Sequence, residues 1–212
     1  VVYYVEPPGT GAIRANGGQV TLGAAYWYRH GASVTLEAVA ASECEFMRWE
    51  RSVEDNGFSE WSTSNPVTLV VDNGYKVKAV FRALETYTLT VYVEWVDAEG
   101  RVGGTLANYP VVIDGTTYHT DSQGKVSVRV LEGTTHTVGV PEAGYEWRKF
   151  TWLAWSDGST ENPRTVSATG DLTLRARVLR WNKVVYYAEP SGAGAVCASG
   201  TKVSLGAPYW YR

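Results

Sequence analysis

No stretch of the 212-residue sequence approaches the run of about 18 to 20 apolar residues that a membrane-spanning helix needs. Basic residues are in slight deficit, 19 against 22 acidic for a formal net charge of -3, so there is no cationic excess to attract nucleic acid or anionic lipid. Phenylalanine is scarce, with 4 residues against 14 Tyr and 9 Trp. Tyr and Trp present an apolar body with a polar edge, which favours strands and half-exposed surfaces over helical cores. Methionine occurs once and glutamine twice, and Arg outnumbers Lys 13 to 6, a depletion of labile residues consistent with a hot habitat. The sequence opens on Val1-Val2-Tyr3-Tyr4 without an initiator Met or a signal segment, and reads as an excerpt of a longer chain. What remains is the composition of a folded protein, 44% hydrophobic and 19% charged, long enough for one large domain or two ordinary ones.

An internal repeat is the most informative feature. VVYYVEPPGTGAIRANGGQVTLGAAYWYR at 1–29 returns as VVYYAEPSGAGAVCASGTKVSLGAPYWYR at 184–212, with 19 of 29 positions identical at an offset of 183. The chain therefore holds one full period and the start of the next. A fainter echo lies inside the period. Phe46-x-x-Trp49, Ser64-Asn65-Pro66-x-Thr68 and Ala79-x-Phe81 are answered by Trp152-x-x-Trp155, Glu161-Asn162-Pro163-x-Thr165 and Ala176-x-Val178. From Asn-Pro onward the halves align at an offset of 97, and the first half carries an insertion at 50–60. This divides the chain into a module A at 1–85, a module B at 86–183, and the first strands of a repeated module A at 184–212.

Nearly every periodic segment alternates with period two, as in Val34-Thr35-Leu36, Val67 to Val71, Tyr75 to Phe81, Thr86 to Val93, Lys125 to Val130 and Leu172 to Val178. Val20-Thr21-Leu22 reads the same way. Asn16-Gly17-Gly18, Asp72-Asn73-Gly74, Asp114-Gly115 and Asp157-Gly158 supply turns between them. The fold class expected is all-β: tandem antiparallel, immunoglobulin-like β-sandwich modules without the Cys-Trp-Cys pattern of true immunoglobulins. Trp49 and Trp155 are expected to be equivalent core anchors, with Asn65-Pro66 and Asn162-Pro163 as structural corners.

Phe150-Thr151-Trp152-Leu153-Ala154-Trp155-Ser156-Asp157-Gly158-Ser159-Thr160-Glu161-Asn162-Pro163, followed by Gly170-Asp171-Leu172, resembles the divergent internalin-type B-repeat, a small β module of prokaryotic surface proteins. Module A resembles it more loosely, through Phe46, Trp49, Asn65, Pro66, Ala79 and Phe81. The front of module B, Pro110 to Gly115 and Tyr118 to Val126, looks like the carboxypeptidase-regulatory-like β module. The resemblance implies an extracellular structural spacer and brings no catalytic residues with it.

The residues themselves offer little catalytic chemistry. His30, His119 and His136 are each alone in their segments, and no metal-ligand spacing, nucleophile elbow or phosphate-binding loop occurs. Glu43, Glu45, Glu50, Glu54, Asp55 and Glu60 surround Trp49 and Trp61, a grouping that reads either as a sugar site or as a solvated acidic loop with its tryptophans turned inward. No cofactor or metal is expected. Cys197 replaces Arg14 in the repeat register, and a Cys44–Cys197 bridge and two free thiols both stay open.

Three functions compete: a non-catalytic structural repeat of an extracellular filament, sheath or surface layer; an adhesive or carbohydrate-binding module using Tyr26-Trp27-Tyr28 or Trp61; and the accessory tail of a secreted hydrolase. The repeat favours the first, because units in series give length and multivalent contact instead of a single site. The expected partners are copies of the chain itself, with surface polysaccharide as the alternative. Val184, Tyr186, Val196, Val203 and Leu205 are expected to form an apolar edge that needs either a continuing module or a neighbouring subunit. Strand exchange with that neighbour would bring Cys197 towards its Cys44.

Overall fold

The computed structural model describes residues 1–189 and 194–212, and every regular element among them is a β-strand. The chain divides into two compact units, Val1–Glu85 and Thr86–Arg212.

The first unit contains β1 (Val2–Glu6), β2 (Gly11–Ala15), β3 (Gly18–Gln19), β4 (Ala32–Ala40), β5 (Cys44–Val53), β6 (Ser59–Ser62), β7 (Val67–Val71) and β8 (Tyr75–Ala83). They form two four-stranded sheets, ordered β1-β8-β5-β6 and β3-β2-β4-β7. Alternation decides what each sheet buries. On β8, Tyr75, Val77, Ala79 and Phe81 point inward while Lys76, Lys78, Val80 and Arg82 lie on the other face. Those residues meet Val34, Leu36 and Ala38 of β4 across a core that fully buries Tyr3, Ile13 and Trp49.

The second unit contains β9 (Thr86–Val96), β10 (Val102–Thr105), β11 (Pro110–Ile113), β12 (Thr116–His119), β13 (Lys125–Leu131), β14 (Thr135–Gly139), β15 (Ala143–Gly144), β16 (Arg148–Trp155), β17 (Arg164–Ser167) and β18 (Leu172–Val185). Three short strands follow, β19 (Cys197–Ala198), β20 (Thr201–Lys202) and β21 (Pro208–Tyr211). One sheet runs β10-β9-β18-β16-β15, with β13 also on β9 and β21 on β18. The other is β12-β11-β14-β17. Between them lies a second core built on Leu89, Val91, Val93, Tyr109, Val111, Val138 and Trp155.

The two sandwiches share the centre of a wiring diagram: β1-β8-β5 corresponds to β9-β18-β16 and β3-β2-β4-β7 to β12-β11-β14-β17, whereas the edge strand β6 follows β5 while β15 precedes β16, and β10 and β13 have no counterpart beside β1. The ladders are antiparallel apart from one pair in each: β1 with β8, Tyr3 opposite Val77, and β9 with β18, Val91 opposite Leu174. The two-residue hairpins are also alike. Asn16-Gly17 and Asp114-Gly115 have φ of 49 and 82° and of 49 and 77°, the left-handed pair that a tight β-hairpin turn requires.

Two local expectations are corrected. Val20-Thr21-Leu22 is not a strand: pairing of β3 with β2 is carried one step further by Val20 N–H donating to Ile13 O, and then Gly23 N–H donates to Tyr3 O on β1, in the other sheet. The insertion at 50–60 is not a loop but a hairpin, in which β5 runs on to Val53 and returns as β6 around Glu54 and Asp55, both with positive φ.

Candidate functional site

Each module carries the same corner, built from residues close in sequence. Trp49 on β5 is fully buried, and its indole N–H donates to Ser64 O at 3.1 Å. Asn65 then presents its side-chain amide to Ala38, with Oδ1 accepting from Ala38 N–H and Nδ2 donating to Ala38 O, both at 2.8 Å. The β4–β7 ladder stops at Leu36–Val67, so the amide stands in for the next strand partner. Module B repeats the arrangement. Trp155, 1% exposed, donates to Glu161 O at 2.7 Å. Asn162 accepts from Val140 N–H at 2.9 Å and donates to Val140 O at 2.7 Å. Pro66 and Pro163 both follow their asparagine through a cis bond.

The described residues of the two copies of the repeated segment also share their hydrogen bonds. Val203 N–H donates to Val196 O as Val20 N–H does to Ile13 O, and Gly206 N–H to Tyr186 O as Gly23 N–H does to Tyr3 O. The Tyr209 hydroxyl accepts from Ser204 N–H at 2.7 Å, matching Tyr26 with Thr21 at 2.7 Å. Tyr186 and Tyr209 meet edge to face at 5.7 Å, Tyr3 and Tyr26 at 5.6 Å. The surroundings differ. Tyr3 and Ile13 are fully buried, whereas Tyr186 and Val196 are only half-buried. Val203 is nevertheless buried, and Leu205 is as exposed as Leu22 is in the complete module, 41% against 43%. Leu205 therefore does not await a missing sheet. Val184 pairs with Tyr209 inside the segment, and Asn182 and Lys183 of module B pair with Tyr211 and Trp210 of β21, so within this chain the segment lies against its own module B.

That placement, with the sandwich topology, revises the cysteine expectation. Both thiols are free. In an exchange that put 184–212 where 1–29 sits, Cys197 would take the position of Arg14, an exposed residue of β2 facing Glu37. Cys44 lies on β5, in the opposite sheet. Facing sheets are about 10 Å apart and a disulfide needs Cα atoms within about 7 Å, so exchange would not bring these two together.

Four of the six acids of the cluster, Glu45, Glu50, Asp55 and Glu60, are ion-paired. Glu50 accepts from Lys78 at 2.8 Å and from Arg48 at 2.6 Å, Glu45 from Arg82 at 2.6 Å, and Asp55 pairs with Lys76. The hydrogen bond from Lys78 holds Glu50 below the usual carboxylate range, the wrong direction for a general acid. Tyr26 and Tyr28 are half-buried by the contacts that fix the segment, and Trp61 is half-buried under Arg51, whose guanidinium is 5.1 Å from its ring. Of the aromatics proposed for sugar contact, only Trp27 stands open.

A further cluster escaped sequence reasoning. His136 Nδ1 lies 2.6 Å from Asp114 Oδ2 and Nε2 lies 2.6 Å from Thr134 Oγ1. The order resembles a nucleophile–base–acid relay, but the Thr134 hydroxyl donates to Leu131 O at 2.5 Å, so its proton is committed to the main chain. Asp114 Oδ1 in turn accepts from Thr137 N–H at 2.8 Å. The cluster ties the β11–β12 turn to β14. Among the described residues no group of three or more His, Cys, Asp or Glu could hold a metal ion, and no helix is long and apolar enough to cross a membrane.

Residues 10–85 match the family model of the divergent InlB B-repeat domain. The B-repeat resemblance stands. The match falls on module A, whose motif is the looser of the two. No curated protein matches the chain. Among solved structures the chain is similar to GBS52, the minor pilin of the Gram-positive pathogen Streptococcus agalactiae, at 13% identity over 76% of this chain and 64% of that one, with a TM-score of 0.33. It is similar to the pilus adhesin SpaC of Lactobacillus rhamnosus GG at 13% identity over 70% of this chain and 24% of that one, TM-score 0.31. The major pilin T3.2 of Streptococcus pyogenes gives 12% identity over 70% and 66%, TM-score 0.25. The chain thus spans 64% of the length of the minor pilin, and overlaps this loose carry nothing about activity or partners.

Proposed function

We propose that the chain is a non-catalytic structural segment of a prokaryotic surface protein, in which alternating β modules assemble head-to-tail into a stalk, filament or layer. The observation that carries this reading is the recurrence of one 29-residue segment at an offset of 183, with its hydrogen bonds intact, at the end of a module B. A period that closes on its own beginning is a unit for serial repetition. The B-repeat match of module A supports a surface location. The corners support the absence of chemistry at the matched motif, because the tryptophan and asparagine that define it are consumed by backbone hydrogen bonds.

Antibody raised against module B tests the reading in cells of the source organism. Labelling of intact cells, lost after external protease, is expected, and material released from the surface should run as ordered multimers. Labelling only after lysis would overturn it. A polysaccharide-binding reading is favoured by one groove of about 480 Å³, where the exposed Tyr145 and Trp147 flank Asn108, Glu146 and Arg148. Binding of the folded chain to surface glycans, abolished by Trp147→Ala, would establish that alternative.

A further inference from the structure

We propose that the outer sheet face on which β16, β18 and β21 lie side by side binds an acidic polysaccharide, through three cations set among three indoles. The site adds a ligand to the structural role and does not depend on assembly. Trp147 borders both this face and the groove at Tyr145, which is a separate surface.

Strand register builds the face. Lys149 of β16 lies opposite Trp181 of β18, and Lys183 of β18 opposite Trp210 of β21. Continuing each ladder by one residue sets Trp147 beside Lys183, whose N–H donates to Trp147 O at 3.0 Å, and Arg212 beside Trp181. Residues two apart on a strand share a face, and Phe150, next to Lys149, points into the core, so this face is the outer one. β21 extends the sheet beside β18 and therefore covers an edge, not the face. Trp147 is 57% exposed, Arg212 is exposed and the other four side chains are half-buried. The Lys149 ammonium lies 5.3 Å from the ring centroids of both Trp181 and Trp210, Arg212 5.7 Å from Trp181, and Lys183 5.1 Å from Trp147. All four distances fall within the ~6 Å reach of a cation–π contact. Trp181 is held in place by its indole N–H, which donates to Thr151 Oγ1 at 2.9 Å.

What these cations lack is an anion. Elsewhere a cation over a ring also holds a carboxylate: Lys78 is 4.5 Å from the Phe58 ring and 2.8 Å from Glu50, Arg164 5.3 Å from Trp155 and 2.8 Å from Asp157, Arg175 4.5 Å from Tyr92 and 2.6 Å from Glu94. Among the described residues no carboxylate pairs with Lys149, Lys183 or Arg212. Arg51 and Arg180 also lie over rings without one, but singly. An ammonium between two indoles is partly stripped of water, so an anion arriving there gains more than at an isolated surface lysine. The spacing selects the ligand. Each cation is one strand over and two residues along from the next, about 8 Å between backbone positions. Phosphates follow each other every ~3.4 Å along a nucleic-acid strand, too densely for this grid, and the chain's net charge of -3 opposes such a polymer. An acidic polysaccharide carries sparser charge, and its sugar rings offer C–H groups to the electron-rich indole faces between the cations.

Calorimetric titration of the whole chain with polygalacturonate and with dextran sulfate tests the site. Binding to either is expected, weakening as salt rises, and the polymer that binds identifies carboxylate or sulfate as the acidic group. Binding to neither overturns the proposal. Methyl-esterified polygalacturonate, the same sugars without the charge, should not bind. Lys149→Gln and Lys183→Gln should each weaken binding about tenfold, the worth of one charge-assisted hydrogen bond, and Lys149→Arg should retain it. Neither lysine belongs to a core cluster, so the fold survives these changes, and circular dichroism checks it. Tyr145→Ala, in the neighbouring groove, should leave binding unchanged. Loss with Tyr145→Ala but not with the lysine changes would place the ligand in that groove and overturn the grid. Equal binding of the methyl ester or of a single-stranded oligonucleotide would overturn it too. Surface multimers indifferent to acidic polymers would remove this site and leave the structural role standing. Lysine-dependent binding by a chain that proves not to lie on the cell surface would do the reverse.

Discussion

Asn65 and Asn162 each satisfy one backbone N–H and one backbone C=O through a single amide, in a half-buried setting where an unpaired group is costly. Asn65→Ala should therefore destabilise module A by about 1–3 kcal/mol, read from chemical denaturation. Asn65→Asp should cost more at neutral pH, because it keeps the acceptor for Ala38 N–H but turns a carboxylate oxygen towards Ala38 O. Were the corner only a turn without these bonds, Asp and Ala would behave alike. Asp114 is one of the carboxylates that tie stability to acid pH. Its hydrogen bond with His136 holds the carboxyl below its ordinary value of 3.8. A carboxyl whose pKa is lower folded than unfolded contributes its full stability above the unfolded value, and that contribution fades as pH falls through the folded one. The side chain is 48% exposed, so solvent screening keeps the effect modest. Asp114→Asn should lower stability at neutral pH and flatten the decline below pH 3.8, the two curves meeting at the acid end. Urea midpoints at stepped pH measure it. The Asn-Pro corner was legible in the sequence because tryptophan, asparagine and proline lie close together. The Thr134–His136–Asp114 cluster was not, because it depends on β11 pairing with β14 so that Ile113 lies opposite Val138.

Most strands were legible from alternation alone, since a two-layer sandwich buries one face of each. Alternation does not name the partner, however. The parallel neighbours, β1 with β8 and β9 with β18, join the first and last strands of each module, and nothing local in Val2–Glu6 points to Tyr75–Ala83. The same blindness explains Val20-Thr21-Leu22, whose pattern is that of a strand while its hydrogen bonds lead from one sheet to the other. Gly11 and Gly194 turn this into a measurement, as they occupy one position of the repeat in two surroundings. A Cβ on Gly11 would lie 2.5 Å from the Phe81 ring and 2.7 Å from Val39 O, while one on Gly194 would meet nothing within 4 Å. Gly11→Ala should cost about 1–3 kcal/mol by overpacking at the β2–β4 edge, and Gly194→Ala should be close to neutral. Equal costs at the two positions would mean that 184–212 packs against a completed module A sandwich, contrary to its placement on β18.

At the scale of the whole chain, two sandwiches with the same central wiring and different edge strands follow each other, with hardly any sequence in common beyond their corners. The correspondence that alignment detects only from Asn-Pro onward extends in three dimensions to one whole four-stranded sheet and to the three central strands of the other, the parallel pair among them. Their cores have no residue in common: one runs from Tyr3 to Phe81 and the other from Leu89 to Val178. Separate cores make separate cooperative units, so a lesion in one should be felt there first. Trp49 and Trp155 are the instruments for this, each the largest fully buried side chain of its unit. Truncating a buried Trp to Ala removes about 3–5 kcal/mol. Native-state hydrogen exchange on Trp49→Ala should accelerate the amides of β4, β5 and β8 by the corresponding factor while those of β9, β16 and β18 keep their protection. Trp155→Ala should give the reverse pattern. Loss of protection throughout the chain from either substitution would mean that the two units unfold as one, and the modules would then have to be treated as halves of a single folding unit.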